Sequence, residues 1–177
     1  MTPFLRGTNE ATMTAIKTTP GVPTCWSLVF TPVRVAVEAA SHAEAVAASA
    51  RVTGSGVSQQ AYALAPKILE VERWLPASRC PVFEAHPEVS FAVLLGAEAS
   101  ASKRTWAGMV ERRDGLAGVG IHLDDIDAEV GRVVAVDDVL DAAVVAWSAQ
   151  RLAAGAARCF PAPPVLGATG RPIAISA

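Results

Sequence analysis

A chain of 177 residues, 51% of them hydrophobic and with a formal net charge of −2, fits one domain able to bury about 70% of its unfolded surface. That composition argues against disorder throughout, and the near-neutral charge against a global basic field for nucleic acid, although a local basic groove remains compatible with it. Cys25, Cys80 and Cys159 form no CxxC pair and no zinc spacing, which predicts reduced thiols packed inside a cytoplasmic protein.

Residues 1–24 are Thr-rich and aperiodic, with Pro20 and Pro23 near the end, and are expected to be a disordered or unrelated leader. No basic segment followed by an apolar one marks a signal peptide, and no run of about 18 apolar residues marks a membrane span. Ser27 to Val37 is rich in β-branched residues but contains Pro32, so it predicts an edge strand or an extended loop. Ser41 is a helix cap for a segment from His42 to about Val52, which Thr53-Gly54-Ser55-Gly56 ends. Ser58 caps a second helix, Gln59 to Leu75, that Pro66 should kink.

Cys80 to Ala85 is expected to be a short buried strand, and Pro87 to open a helix that stops at Gly96. A further helix is expected from Thr105 to about Leu116. Asp137 is a candidate cap for the strongest helix, which should run to about Ala154 and be buried on most sides. Pro161 to Pro164 should be loop, and Ile173 and Ile175 should lie in a short terminal strand.

Three groups of residues invite a chemical reading. Glu84 and His86, two apart on the expected strand, would share a face. There Glu84 could hold a divalent metal, or simply pair with an arginine. Glu88 falls in the first turn of the next helix, where the dipole alone favours a negative charge. Asp138 and Asp141 share a helix face by i,i+3 spacing. A carboxylate one turn inside an apolar helix is costly unless a cation or donors meet it. Gln59 follows a Gly-containing loop at a helix N-terminus, which suits either a phosphate or an ordinary capped turn. Ser102-Lys103-Arg104-Thr105, with Arg112 and Arg113 beyond, is either a solvated basic surface or a phosphate-backbone contact.

In this order these segments resemble a bacterial family of unknown function predicted to be RNase H-like nucleases. The resemblance rests on Ser27-Leu28-Val29-Phe30 with Pro32 and Arg34, on Thr53 to Leu64 with Pro66-Lys67-Ile68, on Glu84 to Phe91, on Ser102 to Thr105, and on Asp137 to Ala142. It implies an α/β, RNase H-like fold over 25–177, incomplete at the N-terminus and therefore helix-rich. It implies Mg²⁺ or Mn²⁺ held by Glu84, Asp138 and Asp141, with His86 and Glu88 in support and Gln59, Lys67, Lys103 and Arg104 toward the substrate. Such metals activate a water and stabilise the leaving oxygen in phosphodiester cleavage.

The family pattern begins with an Asp-bearing hairpin, whereas no aspartate precedes Asp114 here, and Ser55 stands where a basic residue is expected. The expectation is therefore a chain matching the C-terminal two thirds of the domain and inactive by itself. Its partners would be nucleic acid, a strand-donating protein or a second copy. The alternative is a non-catalytic interaction protein that works through an uncovered sheet edge.

Overall fold

The computed structural model describes residues 32–124, 126, 129–166 and 172–177, without the side chains of Val165 and Ile173. The expected leader, Cys25 and the segment up to residue 31 lie outside the described residues. By internal contacts the described residues form two compact units. The first comprises 32–83 with 164–166 and 172–174; the second comprises 84–163 with 175–177.

In the first unit, Arg34–Val37 is a short helix, α1, where the β-branched run predicted extended chain. Burial decides the matter: Ala36 packs with Ala45, Val57 and Ala61, and Val37 with Ala65. No strand among the described residues pairs with this segment. Helix α2, His42–Thr53, has its expected start, with Ser41 Oγ accepting from Glu44 N at 3.2 Å. The Glu44 carboxylate reaches back to Ala40 N at 3.2 Å, so two otherwise orphaned donors are satisfied.

Ser58 also caps as expected, but its helix is broken in two: α3, Gln59–Ala63, and α4, Ala65–Trp74. Pro66 has no N–H for the carbonyl one turn back, so it is accommodated in the first turn of a new helix. A 3₁₀ turn, Leu75–Ala77, follows.

The expected strand at Cys80–Ala85 is absent. One parallel bridge joins Glu84 to Ile175, with Ser176 N donating to Glu84 O at 2.8 Å. Cys80, Val82 and Phe83 are exposed, so the expectation of a buried Cys80 also fails. No ladder of partners among the described residues holds this run extended.

The second unit is built on three helices. These are α5, Pro87–Leu95; α6, Trp106–Gly118; and α8, Val136–Ala153, with the single turn α7, Val130–Val133, before the last. Pro87 opens α5 and Gly96 closes it at φ +72°, as the sequence predicts. Thr105 caps α6, its hydroxyl accepting from Gly108 N at 3.1 Å. Ala135, not Asp137, occupies the cap position of α8, and no side chain caps it; Asp137 and Asp138 lie in its first turn.

The core of this unit is Phe91, Leu116, Leu140, Val144 and Trp147. Ser148 Oγ donates to Ser90 Oγ at 2.8 Å, which satisfies both buried hydroxyls across α5 and α8. Helix α8 is buried along the stripe Leu140, Val144, Trp147 and Ser148 rather than on most sides. Its exposed apolar positions include Ala142 and Ala146, which lose little by facing water.

The terminal strand appears as expected as β2, Pro172–Ser176. Its neighbour β1, Cys159–Leu166, is a strand where loop was expected. Arg158 and Ala177 exchange both backbone hydrogen bonds, at 2.6 and 2.9 Å, which makes the pairing antiparallel. Pro161, Pro163 and Pro164 are tolerated because an edge strand has backbone positions that donate to nothing. The described residues are thus helix-rich with a two-stranded sheet, which agrees with the α/β class. No helix among them is long and apolar enough to cross a membrane.

Candidate functional site

Charged side chains from all three helices of the second unit, and from the loop between α5 and α6, meet at one place. Lys103 Nζ, on that loop, lies 2.7 Å from Asp141 Oδ2 and 4.0 Å from Asp137 Oδ2. Asp137 and Asp141 are one turn apart, and i,i+4 spacing aims both at the same ammonium. Asp138, the expected partner of Asp141, is exposed and lies about 100° of helix rotation from Asp137 and about 60° from Asp141. Asp137, read from the sequence as a helix cap, is the residue that shares the Lys103 ammonium with Asp141.

Beside this pair, Arg112 is 3% exposed although the sequence suggested a surface position. Its guanidinium donates to Glu88 Oε2 at 2.7 Å, to Ala101 O at 3.0 Å and to Gly108 O at 2.9 Å. The guanidinium carbon also stands 5.4 Å from the centre of the Phe91 ring. Glu88 therefore has a role beyond the helix dipole: it is the counter-ion of a buried arginine. The pattern was available in the sequence. Gly108, Arg112 and Leu116 recur every four residues, so the face that buries Leu116 also buries Arg112.

Two carboxylate oxygens in this cluster, Asp141 Oδ1 and Glu88 Oε1, are buried and accept no hydrogen bond. Each carboxylate is satisfied on one oxygen only, which is costly unless a further donor or cation is met. His86, in the cap position of α5, belongs to the same neighbourhood. Burial holds its imidazole below the ordinary value, the charges of Glu88 and Asp141 push it back up, and Lys103 adds to the lowering. The expected face shared by Glu84 and His86 on one strand does not exist, because one precedes and the other begins a helix. Glu84 is solvent-exposed, yet surrounding protein desolvates its carboxyl enough to raise it above the usual range. Among the described residues, no three His, Cys, Asp or Glu side chains are grouped so as to hold a metal ion.

The other substrate-side candidates are more dispersed. Arg104 is exposed next to Lys103. Gln59 and Lys67 are exposed in the first unit. The Gly-containing loop before Gln59 is tied by its own side chains, with Ser55 N donating to Thr53 Oγ1 at 3.2 Å and Thr53 Oγ1 donating to Ser49 O at 3.0 Å. Gly54 at φ +76° ends α2, so these bonds describe a capped turn.

A family model described as Protein of unknown function (DUF429) matches residues 23–165. No curated protein and no solved structure matches the chain.

Proposed function

This chain belongs to that family of proteins of unknown function, and we propose that its second unit carries part of the carboxylate site of a divalent-metal-dependent nuclease of the RNase H-like type. The observation that supports the reading is the pair of orphaned buried oxygens, Asp141 Oδ1 and Glu88 Oε1, beside an ammonium-bridged Asp137 and Asp141. Hard carboxylate oxygens are the donors that Mg²⁺ and Mn²⁺ take. Asp141 and Asp137, which share the Lys103 ammonium, would offer such donors, and Glu84 enters only through the family resemblance. Bound there, the ion would supply Lewis-acid stabilisation of charge on a phosphodiester.

The protein's own groups set the rest. Arg112 fixes Glu88, and Lys103 and Arg104 offer positive charge toward a phosphate. With no aspartate before Asp114, and no group of three metal-competent side chains among the described residues, hydrolysis by this chain alone is not expected. Purified protein with Mg²⁺ or Mn²⁺ should leave single- and double-stranded DNA and RNA intact, while Mn²⁺ binding measured by calorimetry should be lost in Asp141→Asn. Robust turnover abolished by Asp141→Asn would reject the inactivity. Unchanged Mn²⁺ binding in that variant would reject the site.

A second reading, an interaction protein, is favoured by the exposure of Val82 (47%) and Phe83 (55%) next to the single Glu84 bridge. A segment with exposed apolar side chains beside a lone bridge invites strand addition. The chain should then self-associate or bind a hydrophobic dye. A monomer by light scattering, with one cooperative melt and no dye binding, would exclude this reading. The expected participation of Ile173 lies outside the described side chains.

A further inference from the structure

We propose that the outward face of α4 is a self-association surface, on which a second copy of this chain docks its own α4 antiparallel. The surface is separate from the carboxylate cluster of the second unit and from the Val82–Phe83 segment.

The helix itself defines the face. Leu64, just before α4, already has right-handed helical dihedrals, so helical rotation holds from Leu64 through Trp74. One side of α4 meets the core of the first unit. There Ala65 is buried with Val37, Ile68 and Leu69 pack against them, and Glu72 pairs with Arg34. Away from that side, Leu64 (44% exposed), Val71 (47%) and Trp74 (53%) fall within about 80° of helix rotation of one another. A single exposed apolar residue is ordinary, but three aligned along one short helix form a stripe open to water.

Charge indicates what covers the stripe. Lys67 lies between Val71 and Trp74 in rotation, and Glu70 lies about 40° beyond Trp74. Both are exposed, and neither makes an ion pair among the described residues. Two α4 helices can lie antiparallel about a two-fold axis with Leu64 opposite Trp74 of the second copy. Lys67 then falls one residue, about 1.5 Å along the axis, from Glu70 of the second copy and on the same flank. The two-fold axis makes this pair twice. A parallel pair would instead set Lys67 against Lys67, so the charges select the antiparallel arrangement. The contact is small. Three helical turns cover less than the about 800 Å² per partner of a stable complex, so the dimer should be weak, with a Kd on the order of 10–100 µM.

The test is analytical ultracentrifugation of the full chain from about 5 to about 500 µM, a range that brackets that Kd. Wild type should pass from monomer to dimer, and Trp74→Ser should stay monomeric. Lys67→Glu sets acid against acid and Glu70→Lys sets base against base, so each alone should weaken the dimer about tenfold at low salt. An equimolar mixture of these two variants restores both opposite-charge pairs and should dimerise as well as wild type. All three substitutions lie at exposed positions, and thermal melts check that each variant folds. A wild-type protein still monomeric at the highest concentration overturns the proposal. So does a dimer that Trp74→Ser leaves intact; if Phe83→Ser dissolves that dimer, strand addition is the mode of association instead. A mixture no tighter than its two components overturns the antiparallel pairing and the proposal with it.

Discussion

Arg112→Ala should lower the stability of the protein by about 3 kcal/mol, measured by denaturant unfolding. The guanidinium is almost wholly buried and serves Glu88, two backbone carbonyls and the Phe91 ring face. Truncation strands the Glu88 carboxylate, whose second oxygen is already without a partner, and leaves Ala101 O without this donor. Breaking a buried pair by removing one member costs about 3–5 kcal/mol. The lower end applies because the Glu88 side chain retains 30% exposure and can rehydrate. Arg112→Lys should recover only part of the loss, since one ammonium cannot serve three acceptors in a planar fork. Adding Glu88→Gln to Arg112→Ala should return about 1 kcal/mol, because a neutral amide is cheaper to leave buried than a charge. A loss below about 1 kcal/mol for Arg112→Ala would mean that the cluster relaxes into water and is not a buried network.

Local signals in the sequence were reliable where a single side chain decides the outcome. Ser41, Ser58, Pro87, Gly96 and Thr105 each mark a helix end as expected, because capping and φ restrictions act within a few residues. Signals that depend on a partner elsewhere were not. Cys80–Ala85 has the composition of a strand, yet among the described residues it meets only Ile175, at Glu84. Cys159–Leu166 has the composition of a loop and is a strand because β2 lies beside it. The run Val33–Val37 bears β-branched residues, but α1 forms because packing of Ala36 and Val37 outweighs a weak local preference. The site was legible to the same degree. Asp141, Glu88 and Lys103 were all singled out, since a carboxylate inside an apolar helix and a basic loop are conspicuous. The pairing of Asp137 with Asp141 was obscured because an acidic residue at a helix start has a sufficient local explanation. Arg112 was obscured because arginine next to arginine suggests a surface, and only the four-residue recurrence from Gly108 to Leu116 contradicts that.

The three glycines of α6 should respond to alanine in three different ways, and Gly108 most severely. Helix propensity favours alanine by about 0.5–1 kcal/mol at any interior helical glycine. At Gly108 a Cβ would lie 2.6 Å from the Ser102 carbonyl carbon and 2.8 Å from Ala101 O, with the Ser102 oxygen closer still. These are backbone atoms of the loop that Glu111 and Arg112 pin in place, so no rotamer change relieves the overlap. Either the loop lifts away and loses its bonds to Glu111 and Arg112, or α6 shifts in the core. Gly108→Ala should therefore destabilise by about 2–3 kcal/mol net of the propensity gain. At Gly115 the close atom, at 2.7 Å, is the Leu95 Cδ2 methyl, the far end of a flexible side chain. Rotation of Leu95 should hold that cost near zero. At Gly118 nothing lies within 4 Å, so alanine should stabilise by up to about 0.5 kcal/mol, the smaller end of the propensity gain because the position is the last of the helix. Equal effects at all three positions would show that the loop does not press on α6. The same loop carries Lys103 to Asp141, so Gly108→Ala should also loosen that ion pair.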